Sequence, residues 1–248
     1  MAVHDFRSQR LFVDTPLATD THYECTKEQS NYLRNVLRIG AGGEILVFNG
    51  HDGEWRATLE LRGKRGCALA IIEPVRGQMD GPDLHYLFAP LKRARLDYMV
   101  QKATEMGVAQ LQPIWTEHTN VTRVNGDRMR ANVVEAAEQC GVLRLPEVHE
   151  PRILASIVAE WPQDRTLFFA DEAADIASPL AAFDGLTKGA PVAVIIGPEG
   201  GFAEHERRAL SAMPQIRALS LGPRIMRADT AAVALLALVN AIVGDWSP

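Results

Sequence analysis

Two glycine- and proline-rich loops near the C-terminus carry the residues best suited to hold a small molecule. The first, Gly197–Gly201 (GPEGG), follows the apolar run Val192–Ile196. The second, Leu221–Arg227, leads into a helix predicted to start near Asp229. Both segments have the pattern strand, loop, helix, and open α/β sheets bind ligands in such loops at the carboxyl ends of their strands. Glycine and proline also punctuate ordinary turns, but two such units in succession favour a binding site.

The residue types in the first loop exclude the two commonest nucleotide-binding motifs. A P-loop requires a lysine after its last glycine, and none follows Gly201. A dinucleotide fingerprint opens its helix with Gly-x-Gly-x-x-Gly, whereas Pro198 and Glu199 occupy this turn. Glu199 would repel a phosphate at a helix N-terminus, where bound phosphates usually lie. The loop therefore favours a neutral or cationic small molecule.

The strings IIGPEGGF (Ile195–Phe202) and LGPRIMRADTA (Leu221–Ala231) resemble the two signature loops of the SPOUT superfamily of S-adenosylmethionine-dependent RNA methyltransferases. Within it, the chain is similar to the ribosomal RNA small subunit methyltransferase E family, which methylates N3 of a uridine in 16S ribosomal RNA, U1498 in the usual numbering. The resemblance covers nearly the whole chain in the expected order, with further matching segments at Arg10–Val13, Tyr32–Gly50, Leu91–Thr119 and Glu135–Val148.

The resemblance implies an α/β fold in two domains. A small PUA-like β-barrel RNA-binding domain over residues 1–76 is expected to precede a SPOUT methyltransferase domain with a mostly parallel sheet over residues 84–248. The segment from about 166 to 248 is expected to be threaded into a trefoil knot, which general topology rules would not propose. The knot would bring both loops and the turn Phe169–Glu172 to one S-adenosylmethionine cavity.

The cofactor contacts implied by the resemblance are mostly backbone groups of these loops. They are Ala170, Glu172, Ile196, Gly197, Pro198, Glu199, Gly200, Gly201, Leu221, Gly222, Ile225, Met226, Thr230 and Ala231. The implied RNA contacts are Arg10, Arg34, Lys92, Arg93 and Arg144. The chain departs from the family pattern where Val142 replaces an expected arginine and where Met226 and Asp229 replace a leucine and a glutamate.

Methylation of uridine N3 requires removal of the N3 proton or stabilisation of the uracil anion, with N3 aligned to the methyl group. Arg224 and Arg227 are the candidates to stabilise the anion, because a guanidinium is permanently charged. Glu199 and Asp229 are the nearest carboxylates for accepting the proton or facing the cationic sulfonium. Structural roles stay open: Arg227 and Asp229 could form an ion pair, Asp229 could cap the helix, and Glu199 could shape its loop.

The charge balance does not support RNA binding by itself. The chain carries a net charge of −5, and residues 1–80 contain ten basic against eleven acidic residues, whereas many nucleic-acid-binding domains are basic. A structured RNA could instead be recognised by shape and a few placed arginines. Arg10 could bind phosphate or be surface charge, and Lys92 with Arg93 could contact RNA or form a solvated helix face.

Composition indicates a reduced, cytoplasmic, metal-free enzyme. Cys25, Cys67 and Cys140 are far apart in the sequence, no Cys-x-x-Cys pair exists, and the seven histidines show no ligand spacing. Residues 1–10 do not read as a signal peptide. The most apolar stretch, Ala231–Val243, is shorter than the roughly 18 residues of a membrane span.

Turn and strand signals divide the chain near residues 76–83. Before this point, a helix opened by Thr26 and Gln29 and stopped at Gly40 precedes strand candidates at Glu44–Phe48, Trp55–Arg62 and Cys67–Pro74. After it, helices alternate with strand candidates at Leu84–Ala89, Ala109–Trp115, Thr166–Ala170, Val192–Ile196 and Ile216–Leu221. This alternation predicts a mostly parallel sheet with helices on both faces.

The last helix is apolar on essentially every side over Ala231–Val243, which predicts burial all round. The sequence leaves open whether it is interior to its own domain or packs in a dimer; the resemblance implies a homodimer. Two other functions also stay open. One is a different SPOUT activity, such as ribose or guanine methylation of transfer RNA, and the other is a non-catalytic assembly factor that binds ribosomal RNA.

Overall fold

The computed structural model describes residues 8–171, 174 and 178–246. The chain divides into two compact units, Met1–Asp80 with Ala137–Arg144, and Gly81–Ala136 with Leu145–Pro248. Among the residues described, no helix is both long enough and apolar enough to cross a membrane.

The first unit is built on a five-stranded sheet. Its strands are β1 (Arg10–Phe12), β2 (His22–Glu24), β3 (Glu44–Phe48), β4 (Glu54–Arg62) and β5 (Gly66–Arg76). The strand order is β1-β3-β4-β5-β2, with β1 parallel to β3 and the other pairs antiparallel. The three predicted strands lie within two residues of β3, β4 and β5. The three-residue strands β1 and β2 are too short to give an alternation signal.

The predicted helix of this unit is α1 (Lys27–Asn31), which continues as a π-helical turn over Tyr32–Val36. Its capping box is confirmed, because the Gln29 amide donates to Thr26 Oγ1 at 3.2 Å and the Thr26 amide donates to Gln29 Oε1 at 2.9 Å. The expected stop at Gly40 is wrong. The helix ends before Arg38, which takes the left-handed conformation at φ 57°.

The second unit holds a parallel sheet flanked by helices. Its strands are β6 (Leu84–Phe88), β7 (Gln110–Trp115), β8 (Glu147–Val148), β9 (Arg152–Ile153), β10 (Thr166–Ala170), β11 (Val192–Ile196) and β12 (Ile216–Leu219). Its helices are α2 (Arg93–Glu105), α4 (Leu154–Ala159), α5 (Glu204–Ser211) and α6 (Ala228–Ile242). Helix α3 (Gly126–Cys140) contributes residues to both units. The sheet order is β12-β10-β11-β6-β7-β8, with β9 also paired to β7.

Successive residues of the parallel strands point to opposite faces and enter two separate hydrophobic clusters. On one face, Tyr86 and Phe88 pack with buried residues of α2, α3 and α6. On the other face, Leu87 and Ile195 pack with buried residues of α4 and α5. The predicted parallel sheet with helices on both faces is therefore confirmed.

Helix α6 is buried along one side only, contrary to the expected burial all round. Its buried side includes Ala231, Leu235 and Val239, whereas Val233, Ala237 and Leu238 on the other side are partly exposed. Within the described part of the chain, these three apolar side chains are therefore only partly covered. The expected threading of residues 166–248 into a trefoil knot stays a prediction from the resemblance.

Candidate active site

Three adjacent strands of the second unit end at the same edge of the sheet. Strand β10 pairs in parallel with both β11 and β12, and the Asp171 amide donates to the Leu219 carbonyl at 2.9 Å just beyond their ends. Because the strands are parallel, the loops after Ala170, Ile196 and Leu219 emerge side by side. The two predicted signature loops and the turn at Ala170 are therefore brought to one edge.

The first loop is a tight turn whose glycines have steric reasons. Pro198 accepts a hydrogen bond from the Gly201 amide at 2.9 Å, and Gly201 takes a φ of 70°, which favours glycine. A Cβ on Gly197 would lie 2.7 Å from the ring of Phe202, so any larger residue there would displace the ring. The loop conformation therefore depends on glycine at both ends.

His118, which follows β7, contacts the same loop. Its Nδ1 lies 3.2 Å from the Gly200 carbonyl oxygen and 3.1 Å from that of Gly201. A proton on Nδ1 would donate to both oxygens. The imidazole thus holds the outer wall of the loop, a role that sequence reasoning missed because the two segments are 82 residues apart.

Glu199 does not project alone into solvent, because the guanidinium of Arg95 on α2 forms an ion pair with it. Both side chains are partly exposed, at 38% for Arg95 and 47% for Glu199. The pair favours the loop-shaping role of Glu199 and partly neutralises its charge. Arg95 lies in the basic run Lys92–Arg95, but a contact between residues 104 positions apart leaves no signal in the sequence.

The second loop presents Arg224 and Ile225 outward, whereas Leu221 and Met226 pack against the core. Gly222 has a φ of 106°, and its amide is bonded to Ser220 Oγ at 3.3 Å. Ile225 is 96% exposed, an unusual state for a large apolar side chain. Arg224 is exposed and, within the described part of the chain, makes no ion pair. The loop therefore offers an apolar side chain and a free cation at the same edge as the first loop.

The start of α6 differs from both structural roles considered for Arg227 and Asp229. Arg227 is the N-cap residue but its side chain makes no capping bond, and Asp229 lies inside the first turn, so the expected cap role for Asp229 is wrong. Neither residue forms an ion pair among the described side chains. Asp229 Oδ1 accepts a hydrogen bond from the Thr230 amide at 3.0 Å. Its carboxylate is therefore held at the positive end of the helix.

Asp229 lies close enough to the buried Tyr86 for its charge to affect that side chain. Tyr86 on β6 is fully buried, and its Oη has no hydrogen-bond partner in the described structure. Burial raises the pKa of Tyr86 well above its ordinary value, and the negative charge of Asp229 raises it further. Tyr86 thus stays a neutral phenol beneath the first turn of α6.

The turn after β10 is anchored by a charge pair that the sequence did not indicate. Arg207 on α5 donates from Nη2 to both carboxylate oxygens of Asp171, at 3.0 and 2.8 Å. This ties α5, which follows the first loop, to the residue after Ala170. Glu172, which was expected to contact the cofactor, lies outside the described residues.

Arg10 is a buried residue of the first unit rather than surface charge, and its expected contact with phosphate stays a prediction from the resemblance. Its side chain is 5% exposed and its Nε donates to Glu54 Oε1 at 2.8 Å. Arg76 donates to the same oxygen at 3.2 Å and to the Gly141 carbonyl at 2.7 Å. Two guanidiniums thus share one buried carboxylate inside the first unit.

The other four residues expected to bind RNA fall into two groups. Arg34 donates to the Gly66 carbonyl at 3.1 Å and Arg144 to the Asp80 carbonyl, so both are engaged within the first unit. Lys92 and Arg93, at the start of α2, are exposed and form no ion pair with the described residues. The RNA contacts of all four residues stay predictions, with Lys92 and Arg93 the more exposed pair.

The cysteines show no sign of a metal site. Over the residues described, no group of three His, Cys, Asp or Glu side chains is placed to hold a metal ion. Cys25 and Cys67 are distant in sequence but adjacent in the first unit, where the Cys25 amide donates to the Cys67 carbonyl at 3.1 Å. Both are free thiols. Burial, together with the nearby Cys67, raises the pKa of Cys25 to about 12.

Comparison with known proteins decides the family. A family model described as an RNA methyltransferase domain matches residues 79–240, and one described as an RNA methyltransferase PUA domain matches residues 26–72. The chain belongs to the ribosomal RNA small subunit methyltransferase E family. A member from Synechocystis sp. is 30% identical over 94% of this chain and 78% of its own length. Membership makes the chain an RNA methyltransferase with a PUA-like first domain and a SPOUT-type second domain.

Two solved structures share the fold of this chain. A putative methyltransferase from Legionella pneumophila, crystallised with bound S-adenosylmethionine, matches with a TM-score of 0.84 and 29% identity over 96% of this chain and 99% of its own. A ribosomal RNA small subunit methyltransferase E from Neisseria gonorrhoeae matches with a TM-score of 0.82 and 24% identity over 97% of this chain and 100% of its own.

Proposed function

We propose that this chain transfers a methyl group from S-adenosylmethionine to N3 of one uridine, U1498 in the usual numbering, in the 16S RNA of the small ribosomal subunit in the cytoplasm. The observation that carries the proposal is the convergence of three strand-end loops at one edge of the sheet. The second of the two signature loops and the helix start after it carry Arg224, Arg227 and Asp229, none of which forms an ion pair among the described residues. The family match and the Legionella structure with its bound cofactor support the same reaction.

The residues at this edge suit S-adenosylmethionine. Backbone groups of Gly197–Gly201 and Leu221–Arg227 can donate to and accept from the neutral adenosine, and the exposed Ile225 offers an apolar surface for it. The carboxylates of Glu199 and Asp229 match a cationic sulfonium and would repel a polyphosphate. When bound, this cofactor supplies an activated methyl group.

Asp229 is the better candidate to take the proton from uridine N3. Glu199 already forms an ion pair with Arg95, so its carboxylate is engaged within the protein. Asp229 has only the Thr230 amide as a hydrogen-bond donor and no ion-pair partner among the described residues. We therefore assign proton acceptance to Asp229 and loop positioning to Glu199.

Arg224 and Arg227 are assigned to the uracil anion. Both guanidiniums are exposed at the mouth of the second loop and free of carboxylate partners in the described structure, so their hydrogen-bond donors are available to a substrate. Donors fixed before the reaction stabilise developing charge without reorganisation. The chemistry is then alignment and electrostatic stabilisation, with no covalent intermediate on the enzyme.

The partly exposed apolar strip of α6 supports a homodimer. Val233, Ala237 and Leu238 present small and branched side chains that another helix could approach closely. An Ala237→Arg variant is expected to be monomeric in size-exclusion chromatography with light scattering, because it places a charge in an apolar contact. A wild-type chain that elutes as a monomer would refute this assembly.

The decisive test supplies radiolabelled S-adenosylmethionine and small subunits from a strain that lacks the modification, followed by digestion of the RNA and identification of the labelled nucleoside. Label in 3-methyluridine is the expected result. Label in another nucleoside, or only in transfer RNA, would favour a different SPOUT activity. Absence of label on any RNA, with cofactor binding shown by calorimetry, would favour the non-catalytic assembly factor.

A further inference from the structure

A cavity of the methyltransferase unit lies between the start of α2, the start of α3 and the segment that joins β7 to α3. Its volume is about 450 Å³, within the range of sites that hold small ligands. Four basic side chains line it, from Lys92, Arg93, Arg123 and Arg128. Arg123 and Arg128 have not figured in the predicted site.

Among the described residues that line the cavity, the one acidic side chain is already neutralised. Asp97 accepts from Arg128 Nε at 2.8 Å and from Arg128 Nη2 at 2.5 Å, and Asn132 Nδ2 adds a third bond at 2.8 Å. Hydrogen bonding from Arg128 lowers the pKa of Asp97, so the carboxylate stays ionised and committed. Lys92, Arg93 and Arg123 are exposed and, among the described residues, make no ion pair. The cavity therefore presents three uncompensated positive charges.

The N-terminus of α2 adds donors at the same place. Its N-cap is Lys92, whose side chain makes no capping bond, and the Arg95 amide donates to the Lys92 carbonyl at 2.9 Å. Among the described residues, the amides of Arg93 and Ala94 therefore keep donor capacity. The 13-residue helix places its positive end toward the same wall. Two independent features thus favour an anion here, namely unpaired cations and an uncapped helix end.

The floor of the cavity is apolar. Leu91, Leu96 and Met129 line it and are at most 9% exposed. An apolar floor beneath a cationic rim matches a nucleotide, whose base is flat and poorly hydrated and whose phosphate is charged. Unpaired bases of RNA are commonly splayed into such sites and held by stacking and arginine contacts.

This cavity also connects to the proposed active site through α2. Arg93 lines the cavity, and Arg95, two residues later, forms the ion pair with Glu199 of the first loop. A ligand bound at the start of α2 therefore contacts the same helical turn that carries Arg95, the ion-pair partner of the first loop.

We propose that this cavity binds one unpaired nucleotide of the substrate RNA next to the target, its base on Leu96 and Met129 and its phosphate on Arg93 and Arg123. The proposal rests on the proposed function for the identity of the RNA, but the binding itself is independent of methyl transfer. Phosphate contacts to arginine are strong and geometrically specific, so the loss of either contact should weaken RNA binding by a measurable amount.

The test uses the full chain saturated with S-adenosylmethionine and a fluorescein-labelled single-stranded RNA of the sequence around the target uridine. Fluorescence anisotropy is recorded over a range of salt concentrations. Arg93→Gln and Arg123→Gln are each expected to weaken binding about tenfold. Each is also expected to reduce the slope of log K against log salt by about 0.7, since one phosphate contact is lost. Arg123→Lys should restore the slope, because it keeps the charge.

Arg208→Gln is the matched control, because Arg208 is an exposed arginine of the same unit that pairs with Glu204 on α5 and does not line the cavity. If the two cavity variants bind RNA with the affinity and slope of Arg208→Gln, the proposal is overturned. It is also overturned if uridine monophosphate binds as tightly as the RNA, which would assign the cavity to a free nucleotide. Wild-type protein that shows the Arg123-dependent binding but methylates no ribosomal RNA would refute the proposed function and leave the cavity assignment standing.

Discussion

Replacing Glu54 by glutamine should strongly destabilise the first unit, because Glu54 is the carboxylate shared by Arg10 and Arg76. The side chains are 3% exposed for Glu54, 5% for Arg10 and 11% for Arg76. Glutamine keeps the shape but removes the carboxylate charge that both guanidiniums contact, in a site that water hardly reaches. Breaking a buried pair in this way costs about 3–5 kcal/mol. In a chain of this size the cost corresponds to a fall in Tm of roughly 6–20 °C.

The matched control is Glu44→Gln on the same sheet. Glu44 pairs with Arg56 at 3.0 Å, but the side chains are 58% and 37% exposed, and exposed pairs contribute about 0–1 kcal/mol. Urea unfolding followed by circular dichroism, with the midpoint and slope fitted for each variant, measures both free energies. A Glu54→Gln variant within 1 kcal/mol of Glu44→Gln would refute the structural role of Arg10 and reopen its assignment to RNA.

Three further predictions follow from the site and the thiols. Arg227→Ala should lower methyl transfer strongly while leaving cofactor affinity, measured by calorimetry, nearly unchanged; wild-type turnover would remove Arg227 from the mechanism. In a short iodoacetamide pulse, the exposed Cys140 should be alkylated while Cys25 is spared. The pKa of Cys25, raised to about 12, leaves about 1000-fold less thiolate than the ordinary value of 9.0 would. Equal labelling of the two cysteines, measured by mass spectrometry, would contradict this. Asp97→Asn should destabilise the chain near neutral pH, and because the folded pKa of Asp97 is lowered, the difference in unfolding free energy should shrink as pH falls below about 4; a pH-independent difference would contradict it.

The parallel strands could be predicted because their amino-acid composition indicates that they are buried. Val192–Ile196 is buried at every position, and a strand covered on both faces reads as a continuous apolar run bounded by turn residues. The same logic placed the two loops, since a glycine- and proline-rich turn after a buried strand of an α/β sheet lies at its carboxyl edge. Strand β1 gave no such signal, as its three residues place a buried arginine beside apolar neighbours.

The contacts that shape the site could not be predicted, because they depend on the path of the chain through space. From the sequence, Glu199 is predicted to be a free carboxylate, but in the structure Arg95 on α2 forms an ion pair with it. The residues around Glu199 and Arg95 in the sequence give no sign of this pairing. Arg10 reads as surface charge until Glu54 is found beneath it. Isolated charged residues are usually exposed, so a buried network of charged residues cannot be predicted from residue type alone. A family resemblance indicates which positions of this chain match functional positions of the family, but it does not specify the ion-pair partners of those residues.

The acidic balance of the chain and its action on RNA are compatible because electrostatic attraction is local. At physiological ionic strength the Debye length is about 8 Å, so a phosphate at the start of α2 is influenced chiefly by the charges that line the cavity there. Those charges are dominated by Lys92, Arg93 and Arg123, whereas the Asp97 carboxylate is held by Arg128. A net charge of −5 spread over the remaining surface then acts against indiscriminate binding to nucleic acid. RNA would be held where its phosphate path matches a few placed cations, which favours RNA that presents an unpaired nucleotide to this cavity over nucleic acid in general.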